Sequence, residues 1–129
     1  MSIPLEGRKI LIVEDDYMVA QLLADMLEEA GAQVIGPFGW LEEAMLVAND
    51  EEATFDSAIL DVDLHGKQSY PVADALSARN VKVIFCTGYD GEGVAEDYQS
   101  YPRCTKPFGM QALLAELLPG QGVRDRVPE

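Results

Sequence analysis

Basic residues are scarce in this chain. Nine Lys and Arg stand against 23 Asp and Glu in 129 residues, a formal net charge of −14. Direct binding to DNA or RNA is therefore disfavoured, because neutralising phosphates needs a surplus of cationic side chains. An anionic membrane surface is disfavoured for the same reason. Long apolar runs are also lacking, and none approaches the ~18 residues of a membrane span. The first apolar stretch, Ile10 to Val13, has no basic-then-apolar layout of a secretory signal around it. Two cysteines, Cys86 and Cys104, are too few for a disulfide framework or a metal cluster. They read as small buried apolar residues in a reduced, cytoplasmic setting. The one histidine, His65, is followed by Gly66 and Lys67 and reads as a solvated loop residue rather than a ligand or phosphocarrier.

What is present is ample apolar content. At 48% hydrophobic residues the acidity does not signal a disordered chain, and the length suits one compact domain. Three short apolar runs, Ile10–Val13, Ser57–Leu60 and Val81–Phe85, look like strands buried on both faces. A weaker run spans Gln33–Gly36 and stops at Pro37, and Arg103–Thr105 suits an edge strand. Between them the period changes to that of a helix. Val19, Leu22, Leu23, Met26, Leu27 and Ala30 form one stripe, stopped by Gly31. Leu41, Ala44, Met45 and Ala48 form a second, and Pro71 can open a third over Val72, Ala75 and Leu76. Met110, Leu113, Leu114, Leu117 and Leu118 form the last, while Gly93 to Tyr101 suits only a short helix. Five strands alternating with about five helices predict an α/β, doubly wound fold around a parallel sheet. The tail 119–129 is expected to fray.

Ligands of open parallel sheets sit beyond the carboxyl ends of the strands. Those ends are polar here: Glu14-Asp15-Asp16, then Asp61-Val62-Asp63, then Thr87-Gly88, then Lys106-Pro107. A single acid after a strand is commonly a helix cap, and Asp16 suits that role. Three carboxylates around one crevice are harder to dismiss. Two unit charges 4 Å apart repel by about 1 kcal/mol in water and about 4 kcal/mol at an effective dielectric of 20. A hard divalent cation such as Mg²⁺ removes that cost, binding one or two carboxylates with waters, a carbonyl or phosphate oxygens. A carboxylate beside such an ion, with a lysine and a hydroxyl near, is equipped to become an aspartyl phosphate.

In these motifs the chain resembles the receiver domain of two-component response regulators, over roughly residues 8–118. The carriers are Ile10–Asp16 (ILIVEDD), Ala58–Leu64 (AILDVDL), Phe85–Tyr89 (FCTGY) and Thr105–Phe108 (TKPF), in family order and spacing. The resemblance implies a flavodoxin-like five-stranded sheet of order 2-1-3-4-5. It implies Asp61 as phosphoacceptor, with Mg²⁺ or another divalent cation such as Mn²⁺ held by Glu14, Asp15, Asp61 and the backbone carbonyl of Asp63. Lys106 would pair with the phosphoryl group, across a possible cis bond to Pro107, and Thr87 would move toward it. The implied phosphodonor is a sensor histidine kinase or a histidine phosphotransfer protein. The chain would be a stand-alone signalling protein without an output domain, catalysing only its own phosphorylation and slow dephosphorylation. It would switch a protein-binding surface or drain phosphate from a kinase.

Two positions depart from the pattern. Many receivers carry an aromatic residue three positions before the lysine, where this chain has Arg103; Tyr89, in the Phe-x-Thr-Gly-Tyr stretch of a mostly stand-alone subfamily, could serve differently. Asp63 also adds a carboxylate beside the acceptor. Competing expectations are a phosphorylation-independent adaptor, which would tend to lose an acid or the lysine, and a metal-dependent phosphohydrolase, whose Asp-x-Asp pair follows the first strand. Asp90, Glu92, Glu96 and Asp97 make an acidic cluster before the last strand, read as a solvated face or a docking surface for a basic partner.

Overall fold

The computed structural model describes residues 3–88, 94–106 and 109–118. Its centre is a parallel sheet of β1 (Lys9–Val13), β2 (Gln33–Phe38), β3 (Ser57–Asp61), β6 (Lys82–Thr87) and β7 (Arg103–Thr105) in the order β2-β1-β3-β6-β7. Two short strands, β4 (Asp63–Leu64) and β5 (Lys67–Gln68), form a separate antiparallel hairpin directly after β3. With that hairpin set aside, the order is the 2-1-3-4-5 that the family resemblance implied. Four α-helices surround the sheet among the described residues: α1 (Tyr17–Glu29), α2 (Leu41–Ala48), α3 (Tyr70–Ser77) and α4 (Met110–Leu117).

Alternation along the strands builds two cores. Leu11, Val13, Ala58, Leu60, Val83 and Phe85 face α2 and α3, meeting Ala44, Ala48, Val72 and Leu76. Their neighbours Ile10, Ile12, Ile59, Ile84, Cys86 and Cys104 face α1 and α4, meeting Leu23, Leu27, Leu113 and Leu117. Both faces being covered is why the central strands read as unbroken apolar runs. The cysteines are buried, as expected; burial pushes the thiol of Cys86 up strongly and that of Cys104 to about 11.

Several expectations need correction. The second strand does not stop at Pro37 but runs to Phe38, its pairing shifting between Leu11 and Val13. It lies at the sheet edge, where a residue without an N–H is tolerated. In α1 the buried arc is centred on Ala20, Leu23, Ala24 and Leu27, and Leu22 is 55% exposed. The two alanines let the helix lie close to the sheet, so the buried arc is narrower than the apolar stripe. Gly31 does end this helix, at φ +102°, where a Cβ would fall 2.3 Å from the Ile3 side chain. Between β6 and β7 the described residues hold only a 3₁₀ turn, Glu96–Tyr98. Of the acidic cluster, Glu96 and Asp97 are exposed on that turn; Asp90 and Glu92 lie outside the described residues, as do Tyr89, Pro107 and the tail from Pro119.

Candidate metal and phosphoryl site

The parallel register brings the polar strand ends to one edge. Val13 pairs with Leu60, Asp61 with Cys86, and Thr87 with Thr105, so the residues at or just beyond these positions share a crevice. Lys106 is held there by its own N–H, which donates to the Thr87 carbonyl at 2.8 Å.

Each acidic side chain has a distinct tether. Glu14 is almost fully buried. Its Oε2 accepts the Asp16 N–H at 3.0 Å, and its Oε1 meets Lys106 Nζ at 2.9 Å. Asp15 Oδ2 accepts the backbone N–H of His65, in the hairpin turn, at 2.9 Å. Asp61 Oδ2 accepts from Lys106 Nζ at 3.4 Å. Asp16 stays out of this group, because its Oδ1 caps α1 by accepting from Met18 and Val19 at 3.0 and 3.2 Å.

Glu14, Asp15 and Asp61 each offer an oxygen within 4.8 Å of the others. The electrostatics record the crowding. Burial, then the hydrogen bond and charge of Glu14, push the Asp61 carboxyl up to about 7 against the pull of Lys106. Asp15 moves the other way: partial burial works against ionisation, but the His65 N–H and neighbouring hydrogen bonds outweigh it and lower its pKa. Lys106 is raised, since its contacts with Glu14 and Asp61 outweigh its burial. Three hard oxygen donors with too little positive charge among them suit a hard divalent cation.

The remaining predicted residues fall into place unevenly. Thr87 is buried at the end of β6, and its Oγ1 has no hydrogen-bond partner, a rare state for a buried hydroxyl. The Asp63 carboxylate does not join the acidic group; it is exposed, with Oδ2 3.4 Å from the Gly66 N–H of its own turn. That arrangement gives no Asp-x-Asp pair of the phosphohydrolase kind. The Asp63 carbonyl is a different matter. Ser69 N–H donates to the Val62 carbonyl, so the next pair inward, Asp63 with Gln68, is a non-hydrogen-bonded pair of the hairpin. Its carbonyl is left outside the ladder. Arg103 is partly exposed and donates to the Gln99 carbonyl at 3.1 Å. Among the described residues between β6 and β7 the aromatic ones are Tyr98 and Tyr101, which pack with Tyr70 and Phe85.

Sequence reasoning missed two residues. His65 is exposed and in a turn, as expected, but its N–H holds Asp15 and its ring stacks on Trp40 at 3.7 Å between centroids. The signal was the His65-Gly66 dipeptide, which stands where a two-residue hairpin turn takes Asn-Gly; both residues have positive φ, +52° and +88°.

A sheet of this order with acids and a lysine at its carboxyl edge defines a doubly wound, flavodoxin-like domain with a candidate cation site at that edge. The chain matches the response regulator receiver domain over residues 10–118 and belongs to that family. Receiver domains of this family belong to two-component signalling, where they meet histidine kinases or phosphotransfer proteins. Among solved structures it is similar to SdrG of Sphingomonas melonis Fr1, at 37% identity and TM-score 0.75, covering 91% of this chain and 96% of that one. A BeF3-activated conformation of SdrG, attributed to Pseudomonas melonis Fr1, matches at 36% identity and TM-score 0.71, covering 91% and 98%. Among curated proteins, the transcriptional regulatory protein PdtaR of Mycobacterium tuberculosis is 25% identical over 83% of this chain and 53% of its own length. The uncharacterized transcriptional regulatory protein YbdJ of Bacillus subtilis is 30% identical over 88% of this chain and 50% of its own length. The chain thus spans about half the length of the curated relatives it matches. Among the described residues, no helix is long and apolar enough to cross a membrane.

Proposed function

We propose that this chain accepts a phosphoryl group on Asp61 from a phosphohistidine of a sensor kinase or histidine phosphotransfer protein. The observation that carries the reading is the convergence of Glu14, Asp15, Asp61 and Lys106 at one strand edge, with an orphaned Thr87 hydroxyl beside them. A carboxylate oxygen of Asp61 forms the new O–P bond as the N–P bond to the donor imidazole breaks, and the imidazole nitrogen keeps the bonding pair. Glu14, Asp15, Asp61 and the Asp63 carbonyl would hold Mg²⁺, or Mn²⁺ in its place; when bound, the cation neutralises charge on the transferring oxygens. Lys106, already between Glu14 and Asp61, supplies a second positive charge to those oxygens. Thr87 Oγ1 gains a partner by donating to one of them, which couples the modified state to β6. The phosphorylated form then alters protein contacts or serves as a reservoir that drains a kinase.

The test is labelling with acetyl phosphate in the presence of Mg²⁺. The wild-type chain should take up close to one phosphoryl group and Asp61→Asn none; full labelling of the variant would sink the reading. Beryllofluoride with Mg²⁺ should shift the amide resonances of Thr87 and Lys106, whereas a silent spectrum would favour the adaptor. Back-transfer to a phosphotransfer protein separates a reservoir from an output regulator.

A further inference from the structure

Trp40 is the only tryptophan of the chain, sits at the start of α2 with 52% of its surface exposed, and makes no side-chain cap to that helix. Its ring is instead laid on the His65 imidazole, 3.7 Å between centroids and 17° from parallel. His65 is the first of two turn residues in the β4–β5 hairpin, held at φ +52°, and it is this residue whose N–H donates to Asp15 Oδ2 at 2.9 Å. A second tie joins the hairpin to the same helix, Lys67 Nζ to Glu42 Oε2 at 2.5 Å, but both partners are well exposed. Such a surface pair is weak and screened by salt. A hairpin with two residues paired on each strand is marginal alone. Buried Leu64 anchors its first strand in the core, but the turn residues His65 and Gly66 are exposed and need a further support to keep one position. The stack supplies that support. Trp40 and His65 also line, with Glu14 and Asp15, one cleft of about 200 Å³ beside the acidic pair.

We propose that Trp40 is a positioning residue for the cation site: stacked on His65, it holds the hairpin turn whose backbone N–H fixes the carboxylate of Asp15. The proposal rests on the reading of Glu14, Asp15 and Asp61 as that site. Without the stack, Asp15 gains conformations that it must give up again when the ion binds. The loss therefore falls on cation affinity and not on the transfer step at Asp61 once the ion is saturating.

The experiment uses the full chain as wild type, Trp40→Ala, Trp40→Phe and, as a control on the exposed face of the same helix, Leu46→Ala. Three quantities are read: the Mg²⁺ dissociation constant from amide resonances, hydrogen exchange of the His65 N–H without Mg²⁺, and the acetyl phosphate labelling rate at saturating Mg²⁺. Removing an outer support of a metal ligand weakens metal binding by about 10-fold at the low end, and Trp40→Ala should reach that value. Its His65 amide should exchange faster by about the same factor, with the saturating labelling rate unchanged within about twofold. Trp40→Phe, which keeps a stacking ring, should recover most of the loss, and Leu46→Ala should match wild type. The proposal is overturned if Trp40→Ala binds Mg²⁺ like wild type, if its His65 amide stays protected, if its affinity and saturating rate fall together, or if Phe is no better than Ala. Should Trp40→Ala not fold, His65→Asn removes the ring, keeps the N–H and tolerates the left-handed turn; the same affinity loss is expected, and wild-type affinity overturns the proposal. If wild type itself binds no Mg²⁺, the cation reading fails, and the His65 exchange comparison still decides whether the stack holds the turn.

Discussion

Asp61 in the ion-free chain sits among groups that resist its ionisation. Its carboxyl is raised to about 7 by burial and by Glu14, while in the unfolded chain it titrates near the ordinary carboxylate value of about 4. Between those pH values the folded state keeps a proton that the unfolded state has released. The stability this contributes is fully present below about pH 4 and is lost as pH rises through about 7. Asp61→Asn removes the ionisation, so the ion-free variant should be more stable than wild type above pH 7. Discounting for solvent screening, the gain should be roughly 1–2 kcal/mol, vanishing at pH 4, in urea unfolding with a chelator present. Equal stability at pH 8 would mean the acidic group is not strained without its cation. The proposed phosphoacceptor and the destabilising residue are then the same side chain, which is why the site's cost is visible before any chemistry occurs.

At the scale of elements, the end of β1 has to deliver Glu14 and Asp15 to the crevice while the very next residue starts a helix. Asp16 shows the division of labour: its backbone N–H steadies Glu14 and its side chain caps α1. Asp16→Ala should cost about 1 kcal/mol of stability in urea unfolding, typical of a lost N-cap. Mg²⁺ affinity should stay within about twofold, since the N–H remains; a tenfold fall would place the Asp16 carboxylate in the metal site instead. This division was legible in the sequence, because strands buried on both faces are apolar throughout and their ends stand out as charge. The Asp61, Glu14, Asp15 and Lys106 grouping followed from that contrast. Other elements were hidden for physical reasons. Leu22 fits the helical period of α1, yet small Ala20 and Ala24 take its place against the sheet. The β4–β5 hairpin is too short to show any alternation, and its turn uses His-Gly where Asn-Gly would have signalled it. Trp40 carries no local signal at all, since its partner comes from a distant loop.

For the whole molecule the charge of −14 has two consequences that can be separated. Self-repulsion among surface acids destabilises the compact state and is screened by any salt. The crevice responds only to an ion that binds the folded chain, which stabilises by mass action, about 2.7 kcal/mol at 100 times the dissociation constant. Sodium chloride should thus raise the unfolding midpoint modestly, and MgCl₂ at matched ionic strength should raise it further. Asp15→Asn, which removes one of the three donors, should keep the sodium response and lose most of the extra magnesium response. Asp97→Asn, on the exposed 3₁₀ turn away from the site, should keep both. If the Asp15 variant retains the full magnesium increment, diffuse acidity rather than the crevice binds the ion. If neither variant differs from wild type and magnesium adds nothing over sodium, the three carboxylates are only part of the acidic surface, and the case for Asp61 as an ion-assisted acceptor falls with them.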